Sequence, residues 1–293
     1  MPLLVTEAQV AELLTPADAI AAVEASFERL ARGAIENPPR VRATLPGGDF
    51  AVMPCVDHEL GYAGLKSFVW LPGGTPFVIV LFSIEHARLE AIVEAEILGR
   101  LRTAAASAVA AKRLARAGAS TLGVIGCGRQ AAAHVAALRA ALPSLERVVV
   151  SCRNQERLAA FCAEHDCEPG DAATCDVVVT VTTADTPVLH GAQLRRGATV
   201  IGVGANDLSK RELDDDVLDR AAFICCDSIE QSRLEAGDLT LALATREVRE
   251  LQDVVSGELR GRARDEDIVV FKSNGLAAWD LAAAARVVEL ARA

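Results

Sequence analysis

Thr121-Leu-Gly-Val-Ile-Gly-Cys-Gly-Arg-Gln-Ala-Ala-Ala133 is the stretch whose reading decides the fold. A short apolar run, Leu122–Ile125, breaks at Gly126 and Gly128 and passes at once into an alanine-rich stretch of helical composition. Strand, tight glycine turn and helix, in that order, are what a dinucleotide pyrophosphate requires. Gly126 permits the turn. Gly128 lets the backbone approach the phosphates, where a side chain would collide. The helix opening near Gln130 aims free N–H groups and the positive end of its dipole at the anion. Ala131 takes the third small position, which the fingerprint allows. Gly-x-Gly-x-x-Ala alone is a weak motif, because Gly and Ala are common in this chain. Its force comes from the strand before it, the helix after it, and a second strand at Arg147–Ser151.

Working outward, strands and helices alternate from Thr121 to about Cys226. Strands are expected at 121–125, 147–151, 176–182, 198–203 and 222–226, and helices at 129–141, 154–164 and 214–220. That alternation is the signature of an α/β, doubly wound parallel sheet. Ser228–Leu251 reads as helical, Val269-Val-Phe-Lys-Ser-Asn-Gly as strand and turn, and Leu276–Ala293 as a last alanine-rich helix. Upstream, Gly99–Gly118 is a long helix leading straight into the nucleotide strand. The texture from Pro38 to Val93 is different: charge and apolar residues alternate at Arg40–Leu45, and Pro46-Gly47-Gly48 and Pro72-Gly73-Gly74 punctuate further strands. This is a separate, mostly antiparallel sheet. At the N-terminus, Thr6 with Gln9 matches a capping box. Thr15-Pro16-Ala17-Asp18 starts a helix whose Ile20, Val23, Phe27 and Leu30 share one face and which stops at Gly33.

The 293 residues suffice for two domains, and only 4% are aromatic, so Ala, Val, Leu and Ile must build the cores. A net charge of −10 argues against a nucleic-acid partner. The absence of a basic n-region with an apolar h-region, and of any long uncharged apolar run, leads to the expectation of a soluble, cytoplasmic protein without a membrane partner. The eight Cys (55, 127, 152, 162, 167, 175, 225, 226) contain no C-x-x-C pair. All eight are expected to be reduced, most of them structural, and no metal site is expected.

Four basic residues stand where a purely structural role is strained. Arg42 and Lys66 lie in alternating strands, Arg102 opens a helix against its dipole, and Lys272 sits inside Val-Val-Phe-Lys-Ser. Each alone reads as a snorkelling side chain. Together they suit an anionic substrate or cofactor phosphates. Arg binds carboxylate through its fork, and a desolvated Lys can move protons near neutrality. After the second strand, where NAD folds place an acid for the ribose 2′-OH, this chain has Ser151-Cys152-Arg153. Ser151 and Arg153 suit a 2′-phosphate instead, favouring NADP, although Arg153 facing solvent is the plain alternative. No His lies in a nucleophile-elbow or zinc setting.

At this point Arg102-Thr-Ala-Ala-Ala-Ser-Ala-Val-Ala-Ala-Lys-Arg-Leu-Ala resembles a helix of the ornithine cyclodeaminase/mu-crystallin family. Leu122–Ala131, Gly202-Val-Gly-Ala-Asn-Asp with Glu212-Leu-Asp, Glu235-Ala-Gly-Asp-Leu and Phe271-Lys-Ser-Asn-Gly are similar to further segments of it. The resemblance implies a homodimer. It implies a smaller α+β substrate-binding and dimerisation domain of residues 1–112 with 268–293, and an NAD(P)-binding Rossmann domain of residues 113–267. It further implies that Arg42, Lys66 and Arg102 grip a substrate carboxylate, with Lys66 the leading proton donor or acceptor. Thr75, Arg102, Thr103, Gly126, Cys127, Gly128, Arg129 and Gln130 would serve the cofactor phosphates, with Ser151 and Arg153 at the ribose. Thr182 and Val203 would line the nicotinamide side, and Ser273 or Asn274 would close the pocket. Cyclodeaminases of the family resemble one another in an Asp that serves ring closure. Its place here is Asn206, with Asp207 one step displaced, and Ala51 stands where another acid is usual.

The function these readings imply is NAD(P)H-dependent reduction of a cyclic or acyclic 2-imino acid, or the reverse oxidation of an amino acid. The alternatives are ornithine cyclodeamination with bound NAD, Asp207 acting as the catalytic acid, and a non-catalytic NADP(H)-binding protein.

Overall fold

A computed structural model describes all residues, Met1–Ala293. The chain divides into two compact units, one of residues 1–106 with 275–293 and one of residues 107–274.

The first unit begins with β1 (Leu3–Val5), α1 (Glu7–Leu13) and α2 (Pro16–Ala31). Thr6 and Gln9 form the expected reciprocal capping box, and Thr15 caps α2 ahead of Pro16. Then follow β2 (Ile35–Glu36), β3 (Val41–Leu45), β4 (Gly48–Asp57), β5 (Tyr62–Trp70), β6 (Phe77–Ser83) and β7 (Arg88–Glu94). The sheet order is β1-β7-β6-β5-β4-β2, with β3 also on β4. Every pairing is antiparallel except β1 with β7. In β4 buried and half-buried positions alternate strictly from Ala51 to Asp57, so the sheet has one covered and one open face. Helix α3 (Glu96–Leu114) starts in this unit and ends in the second.

The second unit contains β8 (Thr121–Ile125), α4 (Arg129–Ala141), β9 (Arg147–Ser151), α5 (Gln155–His165), β10 (Glu168–Pro169), β11 (Val177–Thr180), β12 (Thr199–Gly202), α6 (Asp215–Arg220), β13 (Ala221–Cys226), α7 (Ile229–Glu235), α8 (Thr240–Thr245), β14 (Arg249–Glu250), α9 (Leu251–Val255) and β15 (Ile268–Lys272). Its eight strands are all parallel, in the order β10-β9-β8-β11-β12-β15-β13-β14. Four-residue valine-rich runs such as Val177–Thr180 are buried at every position, as a sheet covered on both faces demands. The chain returns to the first unit as α10 (Ala277–Leu290), which lies over β4, β5 and β6 and against α2, where the Phe27 and Trp279 rings meet tilted, with centroids 5.3 Å apart.

Three sequence expectations need correction. The return to the first unit starts at Gly275 and not at 268, because β15 is hydrogen-bonded between β12 and β13 of the second sheet. The single helix expected over 228–251 is instead α7, a 3-10 turn at Gly237–Leu239, α8 and the short β14. Asp238 inside that stretch is fully buried and accepts from the backbone N–H groups of Glu212 and Leu213, so it holds a neighbouring segment where a continuous helix would turn outward. Finally, Cys127 and Cys152 form a disulfide, with Cα atoms 5.8 Å apart. β8 and β9 run side by side with Ile125 opposite Ser151, so the residues just past their C-terminal ends meet. No helix is long and apolar enough to cross a membrane.

Candidate active site

In the first unit, the functional cluster is built by three distant elements. β5 presents Lys66, α3 presents Arg102 and α10 presents Asp280. Lys66 Nζ lies 2.9 Å from one Asp280 carboxylate oxygen, and Arg102 Nε donates to the other at 2.8 Å. Asp280 is fully buried, and both cations are more than nine-tenths buried. The Arg102 guanidinium also lies 5.8 Å from the Trp279 ring, and its Nη1 is a buried donor without a hydrogen-bond partner. Leaving a charged donor unsatisfied costs roughly 1–3 kcal/mol or more. An orphaned charged donor of this kind suits an anionic ligand. Gly275, at φ +90°, makes room for this guanidinium, since a Cβ there would stand 2.8 Å from Nη1.

Burial lowers the Lys66 pKa to about 7, and the neighbouring Arg102 charge pushes the same way; Asp280 opposes both, and Arg40 adds to the lowering. One carboxylate thus balances two adjacent cations, with a third nearby. Arg40 rather than Arg42 is the arginine whose charge acts on Lys66, and it packs 5.8 Å over Phe68. Arg42 sits on β3 opposite Ala51, itself opposite Phe68, so it shares the Lys66 face of the sheet one row away and is exposed. Thr75 is half-exposed in the turn between β5 and β6, and the Thr103 hydroxyl donates to Gly99 O at 2.7 Å.

In the second unit, the glycine turn has the shape its sequence implies. Gly126 adopts φ +119°, and a Cβ there would press within 2.8 Å of Val181 O. Gly128 is the N-cap of α4 and supplies no side-chain cap; a Cβ there would meet nothing within 4 Å. Gly128 thus leaves the start of a 13-residue helix uncrowded by any side chain of its own, with Arg129 exposed and Gln130 half-buried after it. That cradle fits a dinucleotide pyrophosphate. At the end of β9, Arg153 is exposed. The Ser151 hydroxyl is already committed, donating to Gly170 O at 2.6 Å and accepting from Ala172 N–H.

Thr182 and Val203 follow the ends of β11 and β12, where fully buried Glu212 collects four donors: Thr180 Oγ1, Thr182 N, Thr182 Oγ1 and Gly204 N, all within 2.8 Å. Glu212 therefore fixes the position of both loops. Lys272 does not reach toward an anionic ligand. It is fully buried, donates to Ala205 O at 2.5 Å and pairs with Asp238 at 3.1 Å. Asn274 donates its backbone N–H to Asp227 at 2.6 Å and its amide to Ser232, and Ser273 donates to Asp227 at 3.4 Å. Asn206 and Asp207 are exposed, and Asp207 accepts from the N–H and hydroxyl of Ser209 in a local turn.

A family model described as "Ornithine cyclodeaminase/mu-crystallin family" matches residues 2–293. The chain belongs to this family. An alanine dehydrogenase of Archaeoglobus fulgidus is 32% identical over 98% of this chain and 94% of its own length. An iminosuccinate reductase of Paracoccus denitrificans is 33% identical over 99% of this chain and 97% of its own. The crystal structure of the latter with NAD+ superposes with a TM-score of 0.91, at 31% identity, over 99% of this chain and 96% of that one. A probable ornithine cyclodeaminase of Bordetella pertussis Tohama I superposes with a TM-score of 0.93, at 35% identity, over 99% and 97% of the two chains. The recognition drawn from Arg102–Ala115 and the glycine turn is thereby borne out, as is the α/β fold with its doubly wound parallel sheet.

Proposed function

We propose that the protein is an NAD(P)H-dependent oxidoreductase that reduces a 2-imino acid to the amino acid, or runs the reverse oxidation. The observation that carries this reading is the buried Lys66–Asp280–Arg102 cluster, with an unspent guanidinium donor on Arg102 and a lysine poised near neutrality. Named activities of family relatives, an alanine dehydrogenase and an iminosuccinate reductase, support it.

The bound dinucleotide supplies the hydride. The chain's own residues do the rest. Arg102, with Arg40 or Arg42 on the same sheet face, holds the substrate carboxylate through a two-pronged fork. This places the C=N bond beside Lys66. Protonated Lys66 gives its proton to the imine nitrogen, which makes the carbon a better acceptor; neutral Lys66 takes it back in the oxidative direction. Asp280 keeps both cations in place and raises the lysine toward its charged form. Reduction consumes one imino acid, one NAD(P)H and one proton. Proximity and orientation carry the rate, because the cofactor brings the reactive pair of electrons.

The glycine turn would take the pyrophosphate, with Arg129 and Gln130 alongside, and the family resemblance implies the same role for Thr103. Thr182 and Val203 would line the nicotinamide side, the resemblance implies that Ser273 and Asn274 close the pocket, and exposed Arg153 favours a 2′-phosphate and so NADP. Ser151 contributes by holding its loop. Cyclodeamination is disfavoured, because the nearest acid to Asn206, Asp207, is engaged with Ser209. The open apolar face of the first sheet suits a second copy of the chain.

The test incubates the protein with NADPH or NADH and a panel of 2-oxo acids with ammonium or preformed cyclic imines, following cofactor absorbance. Turnover with at least one 2-imino acid is expected, and Lys66→Ala should abolish it while cofactor affinity stays within about twofold. Full turnover in that variant, or no cofactor consumption with any imine by the wild type, sinks the reading. Arg153→Ala should raise KM for NADPH about tenfold and leave KM for NADH unchanged; equal effects on both would remove the argument for NADP.

A further inference from the structure

We propose that Cys127 and Cys152 are a reversible thiol–disulfide modification site that gates dinucleotide binding, the disulfide weakening it and the dithiol restoring it. The inference rests on the cofactor reading above. Cys127 lies between Gly126 and Gly128 in the pyrophosphate turn, and Cys152 is the first residue past β9, where the adenosine ribose is read in this fold. Their bond spans the gap between the two segments, with Cα atoms 5.8 Å apart.

Location makes the pair chemically distinct from the other cysteines. Cys127 precedes the N-cap of the 13-residue α4, and Cys152 stands two residues before Asn154, the N-cap of the 11-residue α5. Both residues are half-exposed and reachable by small reagents. Of the six free cysteines, five are buried. Burial holds all six in the thiol form: the Cys55 pKa is raised to about 12 and that of Cys167 to about 11, and Cys162, Cys175, Cys225 and Cys226 are raised as well. Only Cys127 and Cys152 combine access, a polar setting and a partner.

Closing the bond needs a two-electron oxidant of the peroxide class. One thiolate attacks a peroxide oxygen and becomes the sulfenic acid, releasing water; the second thiolate displaces the sulfenic oxygen as a second water. Two thiols and one hydrogen peroxide give one disulfide and two waters. Reopening takes a dithiol, which attacks one sulfur, forms a mixed disulfide and resolves it by its own second thiol. Bonded, the two sulfurs join the pyrophosphate turn to the segment just past β9, where this fold reads the adenosine ribose. The bond thereby ties the two segments together and limits how far they can part to admit a dinucleotide.

The test uses the full chain after treatment with dithiothreitol or with diamide, which takes up the same two electrons and two protons. Alkylation of the denatured protein followed by mass measurement should count eight thiols in the reduced protein and six in the oxidised. NADPH binding, read by fluorescence titration, should be at least tenfold weaker in the oxidised protein and recover on reduction. Cys152→Ser should show one affinity under both treatments. Eight thiols after oxidation, or a disulfide formed with no change in affinity, overturns the gate and leaves the cofactor reading intact. Failure of both redox states to bind either NADPH or NADH overturns the cofactor reading and the gate with it.

Discussion

Asp280 decides what Lys66 can do. A lysine with a pKa near 7 is protonated below neutrality and neutral above it. If Lys66 donates the proton, reductive kcat/KM falls as pH rises through about 7, and the oxidative direction gains over the same interval. Asp280 is the group that raises this pKa, so Asp280→Asn should move the reductive midpoint to lower pH by about one unit or more and cut kcat at pH 7 more than tenfold. Paired pH profiles of wild type and variant measure this. A merely structural aspartate would lower activity with the midpoint unmoved. The sequence carried a sign of this residue: Asp280 stands inside Ala277-Ala-Trp-Asp-Leu-Ala-Ala-Ala-Ala285, an otherwise apolar run, where a carboxylate must have a buried partner. Its partners, Lys66 and Arg102, lie more than 170 residues earlier, a separation that no local sequence pattern spans. Lys272 erred in the opposite direction. A lysine in an apolar strand looks like a displaced ligand-binding charge, yet its partner Asp238 lies in a stretch that reads as plain helix.

At the scale of the element, the strands and helices around the glycine turn were legible because a parallel sheet covered on both faces leaves uninterrupted apolar runs. Strand β8 and helix α4 have the expected bounds. The disulfide was not legible by looking for closely spaced cysteines. It follows from register: β8 and β9 pair 121 with 147, an offset of 26, and the two cysteines are 25 apart. Helix α4 is also tied to α3 by fully buried His134. Its Nδ1 lies 2.7 Å from Gln130 O and its Nε2 3.0 Å from Ser107 Oγ. A neutral ring donates to the carbonyl and accepts from the hydroxyl. Burial holds its pKa down at about 4, against an ordinary value of 6.5. As pH falls from 6.5 to 4 the unfolded chain therefore takes up a proton that the folded chain refuses, and stability falls with it. Chemical denaturation of wild type and His134→Gln at pH 7 and pH 5 should show the wild type losing about 2 kcal/mol more than the variant. Parallel losses would mean that the ring is solvated or already charged.

At the scale of the whole molecule, the first sheet is half-finished. Helix α10, backed by α2, covers the face that carries Ala51, Met53 and Lys66. The opposite face presents Pro54 and Val56 of β4, opposite Leu65 and Ala63 of β5, which in turn oppose Val80 and Phe82 of β6. All of these are half-buried or exposed, and Phe82 is 43% exposed. Pro54, Val56, Ala63, Leu65 and Phe82 line an apolar groove of about 230 Å³ there. An antiparallel sheet that ends at solvent alternates apolar with polar residues; this one is apolar on both sides. Contiguous apolar area of this kind marks an interface, and a second copy of the same sheet offers the matching surface under a two-fold axis. Leu65→Glu and Val80→Glu each place a charge at the centre of that face, away from Lys66 because successive strand residues point to opposite sides. Light scattering coupled to size exclusion should find the wild type as a dimer of 30.8 kDa chains and either variant as a monomer. Circular dichroism should show the variants folded, since the substituted positions lie outside the core that α10 covers. A variant that remains dimeric would move the interface to another surface and leave the apolar face without an occupant.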